Sequence, residues 1–511
     1  SIMHHLSAGG DQQNVDEQIV NENYGAEFVK AAVSLARTID GLEDQGEILS
    51  SAAGIYAESG QLDFAVNLAQ TIDDSYQRDL ALTKLAAICA TDGDDAQADS
   101  LLEMIQDDTV YAAGIEQIAA VYARAGEIDK ATETARRLSD SDSALSSVAR
   151  ACPSRDLLTD CLEVAHSIDY PELRVTALIE LAGTARKLEA QDVSAEIIEQ
   201  AASAADELEF PEQRIEARVR LAAWHKDNDQ TEPGTEILRK ARADCEEIDG
   251  SDRNAALGQV AAAFAGLRDF TSAEQLLEEI EDPYDFCHAT AEVAFEHYQA
   301  GDQNAAGKLL ADGLEVIKDE PVYGEQSLIR RRAVLGFLTE TYASIGRLED
   351  ALQVAELLDS DEQKDSTLRQ IAFISASSDN PNTAFEVFEK IKDDSMRVLG
   401  KVDVVRAWTR SDRLELADHL LSNASAEVAK VEWPQQRTKC LAELALAYEL
   451  REQASRCSEN LFEALNTATT IKGSYPQARA LLGLAVIHKE LTRPTSEAER
   501  KVLEEIIYRL D

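Results

Sequence analysis

Helix breakers and aromatic rings are both scarce in this chain of 511 residues, with 10 prolines, 24 glycines and 5% aromatics. Apolar residues instead recur three and four apart throughout, which is the pattern of amphipathic helices, and no stretch alternates convincingly as a strand would. A chain this long exceeds one ordinary core, so it is either several domains or a structure that grows by repetition.

Basic residues are also few, 49 Lys and Arg against 96 Asp and Glu, for a net charge of −47. The acidic residues are scattered rather than gathered in a tail. Such a chain repels phosphate, so the charge predicts no nucleic-acid partner and no adhesion to an anionic membrane. Arg outnumbers Lys 32 to 17. That balance suits an ordinary acidic cytosolic protein, and equally one adapted to high salt, where screening removes self-repulsion. The seven cysteines are odd in number and contain no C-x-x-C, which fits a reducing, cytoplasmic compartment. No window reaches ~18 apolar residues, so membrane insertion is not expected. The opening stretch, with His4 and His5 and no periodicity, is read as an N-terminal tail over 1–23, tag-like and outside the ordered fold.

What is present is a repeated line. "YARAGEIDKATETARRL" at 122–138 returns as "YAESGQLDFAVNLAQTI" at 56–72 and "YASIGRLEDALQVAELL" at 342–358. Three residues before the aromatic stands a small site, followed through the chain as Ala53, Ala86, Ala119, Ala149, Ala182, Ala222, Ala261, Ala294, Thr339, Ala372, Val405, Ala445 and Ala485. Twelve residues after each lies a second one: Ala65, Ala98, Ala131, Cys161, Ser194, Gly234, Ala273, Ala306, Ala351, Ala384, Ala417, Cys457 and, last, Glu497 beside Ala498. Small side chains at two fixed points let helices approach closely, so each unit reads as an antiparallel helix pair. Five residues before the second site stand Gly60, Gly93, Gly126, Gly301 and Gly346, or Asp156, Asp229, Asp379 and Asp412. These types tolerate the left-handed conformation that ends a helix. Successive units are 30 to 45 residues apart, and the longer ones are expected to lengthen a helix.

The small–aromatic–glycine–alanine order, clearest in "LSSAAGIYAESGQLDFAVNLA" at 49–69, resembles the tetratricopeptide repeat, a helix-turn-helix unit of ~34 residues. The resemblance implies an all-α, right-handed superhelical solenoid of about thirteen stacked pairs over 24–511. Residues 495–510 would form the closing helix, either as a polar cap or as a dimer seam through Leu503, Ile507 and Leu510.

Recognised catalytic patterns are missing: no nucleotide-binding glycine loop, no nucleophile elbow and no H-E-x-x-H occur in the chain. No catalytic residue, cofactor or metal is expected. His225, His297 and His488 occupy the slot three beyond the first small site, where tyrosine stands in other units, and are read as core. Eight residues before that site the chain is basic at Arg78, Arg174, Arg214, Arg253, Arg331, Lys364, Arg397 and Arg437. These could tie down the end of the preceding helix, or form a ladder of cations along a groove.

The resemblance further implies that first helices line a concave face. Positions one and four beyond the first small site then give a candidate partner-binding set: Arg150, Arg186, Lys226, Phe295, Tyr298 and Arg406. A basic, partly aromatic inner wall predicts an acidic protein or peptide segment as partner. The leading functional expectation is a non-enzymatic protein–protein interaction scaffold. The alternative is a regulatory or sensor module, binding a peptide or small ligand between repeats near 222–261 or 294–339.

Overall fold

The computed structural model describes residues 24–377 and 382–509; the tail at 1–23, Asp379 and Leu510 lie outside the described residues. All regular structure among the described residues is helical. The first small sites are buried without exception, down to 0% exposure at Ala53, Ala119, Ala261 and Ala372. Every second site is buried as well, from Ala65 to Cys457, except in the last unit, where Glu497 and Ala498 are exposed.

The turn between helices has one backbone solution. Seven residues past the first small site φ is positive at Gly60, Gly93, Gly126, Gly301 and Gly346, at Asp229 and Asp412, and also at Glu189, Arg268, Glu452 and Thr492. There the next amide donates back to the carbonyl of the aromatic slot, Gln61 to Tyr56 and Arg347 to Tyr342, both at 2.9 Å. That bond is the Schellman closure of a helix end. Asp156 is the exception. Pro153 follows the short Asp142–Arg150 helix, and the left-handed residue is replaced by a 3-10 turn, Arg155–Leu157.

Long spacings do lengthen second helices, 15 residues in Gln191–Ala205 and Thr231–Cys245 against 9 in Leu62–Gln70. The basic residues eight before the small site lie at the joints. Arg174 donates to the Ile168 carbonyl at 3.1 Å, Arg214 to Leu208 at 3.2 Å and Arg331 to Glu320 at 2.8 Å. Gln45 and Gln477, at the same register, bond Ala36 and Ala468.

The chain forms two compact units, one from the described residues up to Gly114 together with those from Asp393 onward, the other from Ile115–Lys392. In the first of these, the Ala26–Ala36 helix packs along Ser474–Glu490 and against Leu42–Glu58 and Glu497–Tyr508. It occupies the second-helix place that Glu497–Tyr508 leaves empty. Phe28, Val29, Ala31, Ala32 and Ala36 are fully buried there, and large apolar side chains contribute about 1.5–3 kcal/mol each on full burial. Gly25 enters with φ 85°, and a Cβ on it would stand 2.5 Å from the Ala485 carbonyl oxygen, at the first small site of the last pair. Around the seam, Glu27 pairs with Arg500 at 3.2 Å, Glu58 with Lys489 at 2.8 Å, and Tyr475 donates to Glu47 at 2.6 Å. Leu503 and Ile506 are buried and Ile507 half-buried, so Leu503 is spent inside the chain rather than offered to a dimer seam.

Candidate interaction groove

Five first helices of the Ile115–Lys392 unit, Pro211–Asp227, Gly250–Gly266, Pro283–Gln299, Gly324–Ser344 and Asp361–Ala376, pack each on the next. Three depressions run across them. The central one, about 330 Å³, is lined by Ala262, Glu292, Phe295, Glu296, Phe337 and Glu340 among others. It shares Ala262 and Glu292 with a cavity of about 300 Å³ on one side, and Phe337 and Glu340 with one of about 500 Å³ on the other.

The groove holds both charge signs, unequally committed. Lys226 is fixed to Glu296 at 2.6 Å, and Arg332 makes two bonds to Asp359 at 2.8 Å. Glu340 has no cation or donor partner among the described residues. Among the described residues, Glu292 has only the His288 imidazole, 3.7 Å away. Burial, reinforced by repulsion from Glu296, pushes the Glu292 carboxyl above its usual range despite His288. The His288 ring is stacked on Phe337, centroids 4.3 Å apart.

Of the residues singled out in the sequence, Arg150, Arg186, Lys226, Phe295 and Tyr298 fall in this unit and Arg406 in the other. Only Lys226 and Phe295 line the groove. Arg150 pairs with Glu180 at 3.3 Å and Arg406 with Glu443 at 2.5 Å. Arg186 is exposed and Tyr298 half-buried. The basic inner wall is thus mostly neutralised by glutamates of other first helices, one or two repeats away, which removes the ground for an acidic partner. The groove face falls at the small site's −2, +1 and +5 positions, such as Glu292, Phe295, Phe337, Glu340 and Ser344. A choice of +1 and +4 tilts the set toward the helix flank.

The three slot histidines are buried. His225 bonds Gln230 at 2.8 Å and His297 bonds Glu274 at 3.2 Å. Burial holds the His225 imidazole below its usual value, against the pull of the Gln230 bond. Among the described residues no group of three or more His, Cys, Asp or Glu side chains is placed to hold a metal ion. No helix among them is long and apolar enough to cross a membrane.

Stacked antiparallel pairs with small residues at the crossings and a left-handed cap make this a TPR-like helical-repeat fold. Solved structures similar to the chain include the TPR-like repeats of a putative kinesin light chain from Podosopora anserina, 18% identical, covering 44% of this chain and 99% of that one at a TM-score of 0.23. The human IFIT1 dimer with PPP-AAAA is 14% identical, covering 87% and 95% at 0.29. Naa15/Naa10 bound to HypK-THB is 13% identical, covering 92% and 95% at 0.25. These are likenesses of fold alone. No protein-family model matches the chain, and no curated protein matches it.

The expectation of no nucleic-acid partner does not hold: IFIT1, a helical-repeat protein among these neighbours, is solved with PPP-AAAA and with m7Gppp-AAAA. Binding depends on the local field at a site, whereas net charge sums over the whole surface, so −47 does not dispose of that class of partner.

Proposed function

We propose that the chain is a non-enzymatic interaction scaffold of the cytoplasm, and that the groove across its five first helices receives a segment of a partner protein. The supporting observation is the continuity of the three cavities through shared residues, with Phe295 37% and Phe373 42% exposed along the same run of helices. Exposed aromatics beside a concave surface are the common anchors of protein association. Seven buried free cysteines suit a reducing compartment. A photo-crosslinking side chain in place of Phe295, and in a second variant in place of exposed Leu42, tests the reading in extracts of the source cell. Discrete adducts unique to position 295 are expected; identical adducts at both positions would refute it.

A second reading, a sensor holding a small ligand between repeats, is favoured by the central cavity of about 330 Å³, a volume within the range of ligand pockets. A metabolite that raises the melting temperature of the wild type, and leaves a Phe337→Ala variant unmoved, would favour it.

A further inference from the structure

We infer that the segment seated in this groove is cationic, placing an arginine or lysine in the central cavity between Phe295 and Phe337 and against Glu292 and Glu340. The inference rests on the groove reading above and names the chemistry of its occupant.

Charge accounting carries it. The cations lining the three cavities, Lys226 and Arg332, are already held by Glu296 and Asp359 at 2.6 and 2.8 Å. Glu340 lacks any cation or donor among the described residues, and Glu292 is crowded by Glu296 in a site that burial makes costly for a carboxylate. An incoming ammonium or guanidinium would supply the missing counter-charge. The rings add to this, because a cation over a phenyl face is attracted by its quadrupole, and both Phe295 and Phe337 line the same cavity. The flanking depressions offer apolar side chains beside their polar ones, Val219, Ala222 and Ala263 on one side and Ile329, Ala333 and Leu358 on the other. The matching segment therefore has apolar residues either side of its basic one. Five helices at roughly 8–10 Å spacing span about 32–40 Å, which an extended chain rising about 3.3 Å per residue crosses in about ten to twelve residues.

The test uses the full chain and fluorescein-labelled eleven-residue peptides of leucine and alanine around a central arginine, glutamine or glutamate, read by anisotropy. The arginine peptide is expected to bind at least tenfold tighter than the glutamine peptide. Its affinity should fall at least tenfold in Glu292→Gln/Glu340→Gln. The charge-matched control Glu196→Gln/Glu199→Gln, on the exposed side of Gln191–Ala205, should leave it unchanged. Equal loss in both variants would reduce the effect to net charge and overturn the inference. So would full competition by spermidine at the peptide's own concentration, or no binding of the arginine peptide. If arginine and glutamine peptides bind equally and both are lost in Phe295→Ser/Phe337→Ser, the cationic assignment falls while the groove reading stands.

Discussion

Phe28 and His488 lie at opposite ends of the described chain, yet their rings stand 4.6 Å apart. The imidazole is fully buried, with Nε2 3.4 Å from the Glu499 carboxylate, so one buried side chain touches both the first and the last helix. This contact is the centre of a seam in which the Ala26–Ala36 helix completes the pair begun by Ser474–Glu490.

Gly25 should be the least replaceable glycine of that seam. Its φ of 85° costs an L-residue about 1–2 kcal/mol, and the added methyl would meet the Ala485 carbonyl oxygen at 2.5 Å. Gly25→Ala is expected to lower the melting temperature and speed hydrogen exchange in 26–36 and 474–490. Gly60→Ala has the same positive φ but open space, and should cost only the conformational part.

The seam should weaken in acid. Burial alone would raise the Glu499 carboxyl, but the nearby His488 imidazole at 3.4 Å and hydrogen bonds donated by the Ser496 amide and hydroxyl at 2.7 and 2.6 Å outweigh it and hold the group below its usual range. A carboxylate with a depressed folded value contributes stability that is complete above the unfolded value of about 4.3 and is lost as pH falls through the folded one. Melting temperature followed from pH 6 to 3 should drop more steeply in the wild type than in Glu499→Gln.

The long repeats carry a different cost. Asp244 is 8% exposed and accepts from Arg214 at 2.9 Å and from Arg218, which also reaches Asp206. Removing one partner strands buried cations, so Asp244→Ala should destabilise by about 3–5 kcal/mol, visible as a lower denaturation midpoint. Replacing exposed Asp192 should leave it unmoved.

Glu292 should behave in the opposite sense. Its carboxyl is raised by burial and by Glu296, so the folded state resists its ionisation and stability falls as pH rises through its titration. Glu292→Gln is expected to raise the melting temperature at pH 7 while weakening binding in the groove, the trade expected of a residue kept for function. A lower melting temperature in that variant would mark Glu292 as structural.

Much of this architecture is legible in the sequence because the crossing points demand undersized side chains, and Ala119, Ala261 and Ala372 announce them by type. The turn is only half legible. Glycine signals a positive φ, but Glu189, Arg268, Glu452 and Thr492 adopt it too, since the Schellman bonds and the packed helices on either side override residue preference. The seam leaves a trace that the register of first sites passes over: "AVSLARTID" at 32–40 repeats "AVNLAQTID" at 65–73. The 26–36 helix therefore carries second-helix chemistry with no first helix before it among the described residues. The groove is the least legible part, because its identity depends on which carboxylates find cations. Glu296 is neutralised by Lys226 from a helix two repeats earlier, a pairing set by packing distance that residue order does not encode.

Thr38 and Ser474 give the most direct access to the seam, their hydroxyls 2.6 Å apart, while the seven native cysteines are all buried. Thr38→Cys/Ser474→Cys under mild oxidation should form an intramolecular disulfide, seen as a linked peptide pair by mass spectrometry in monomeric protein, and should raise the melting temperature. Recovery of that link only between two chains, or no link at all, would contradict the completion of the last repeat by the first helix.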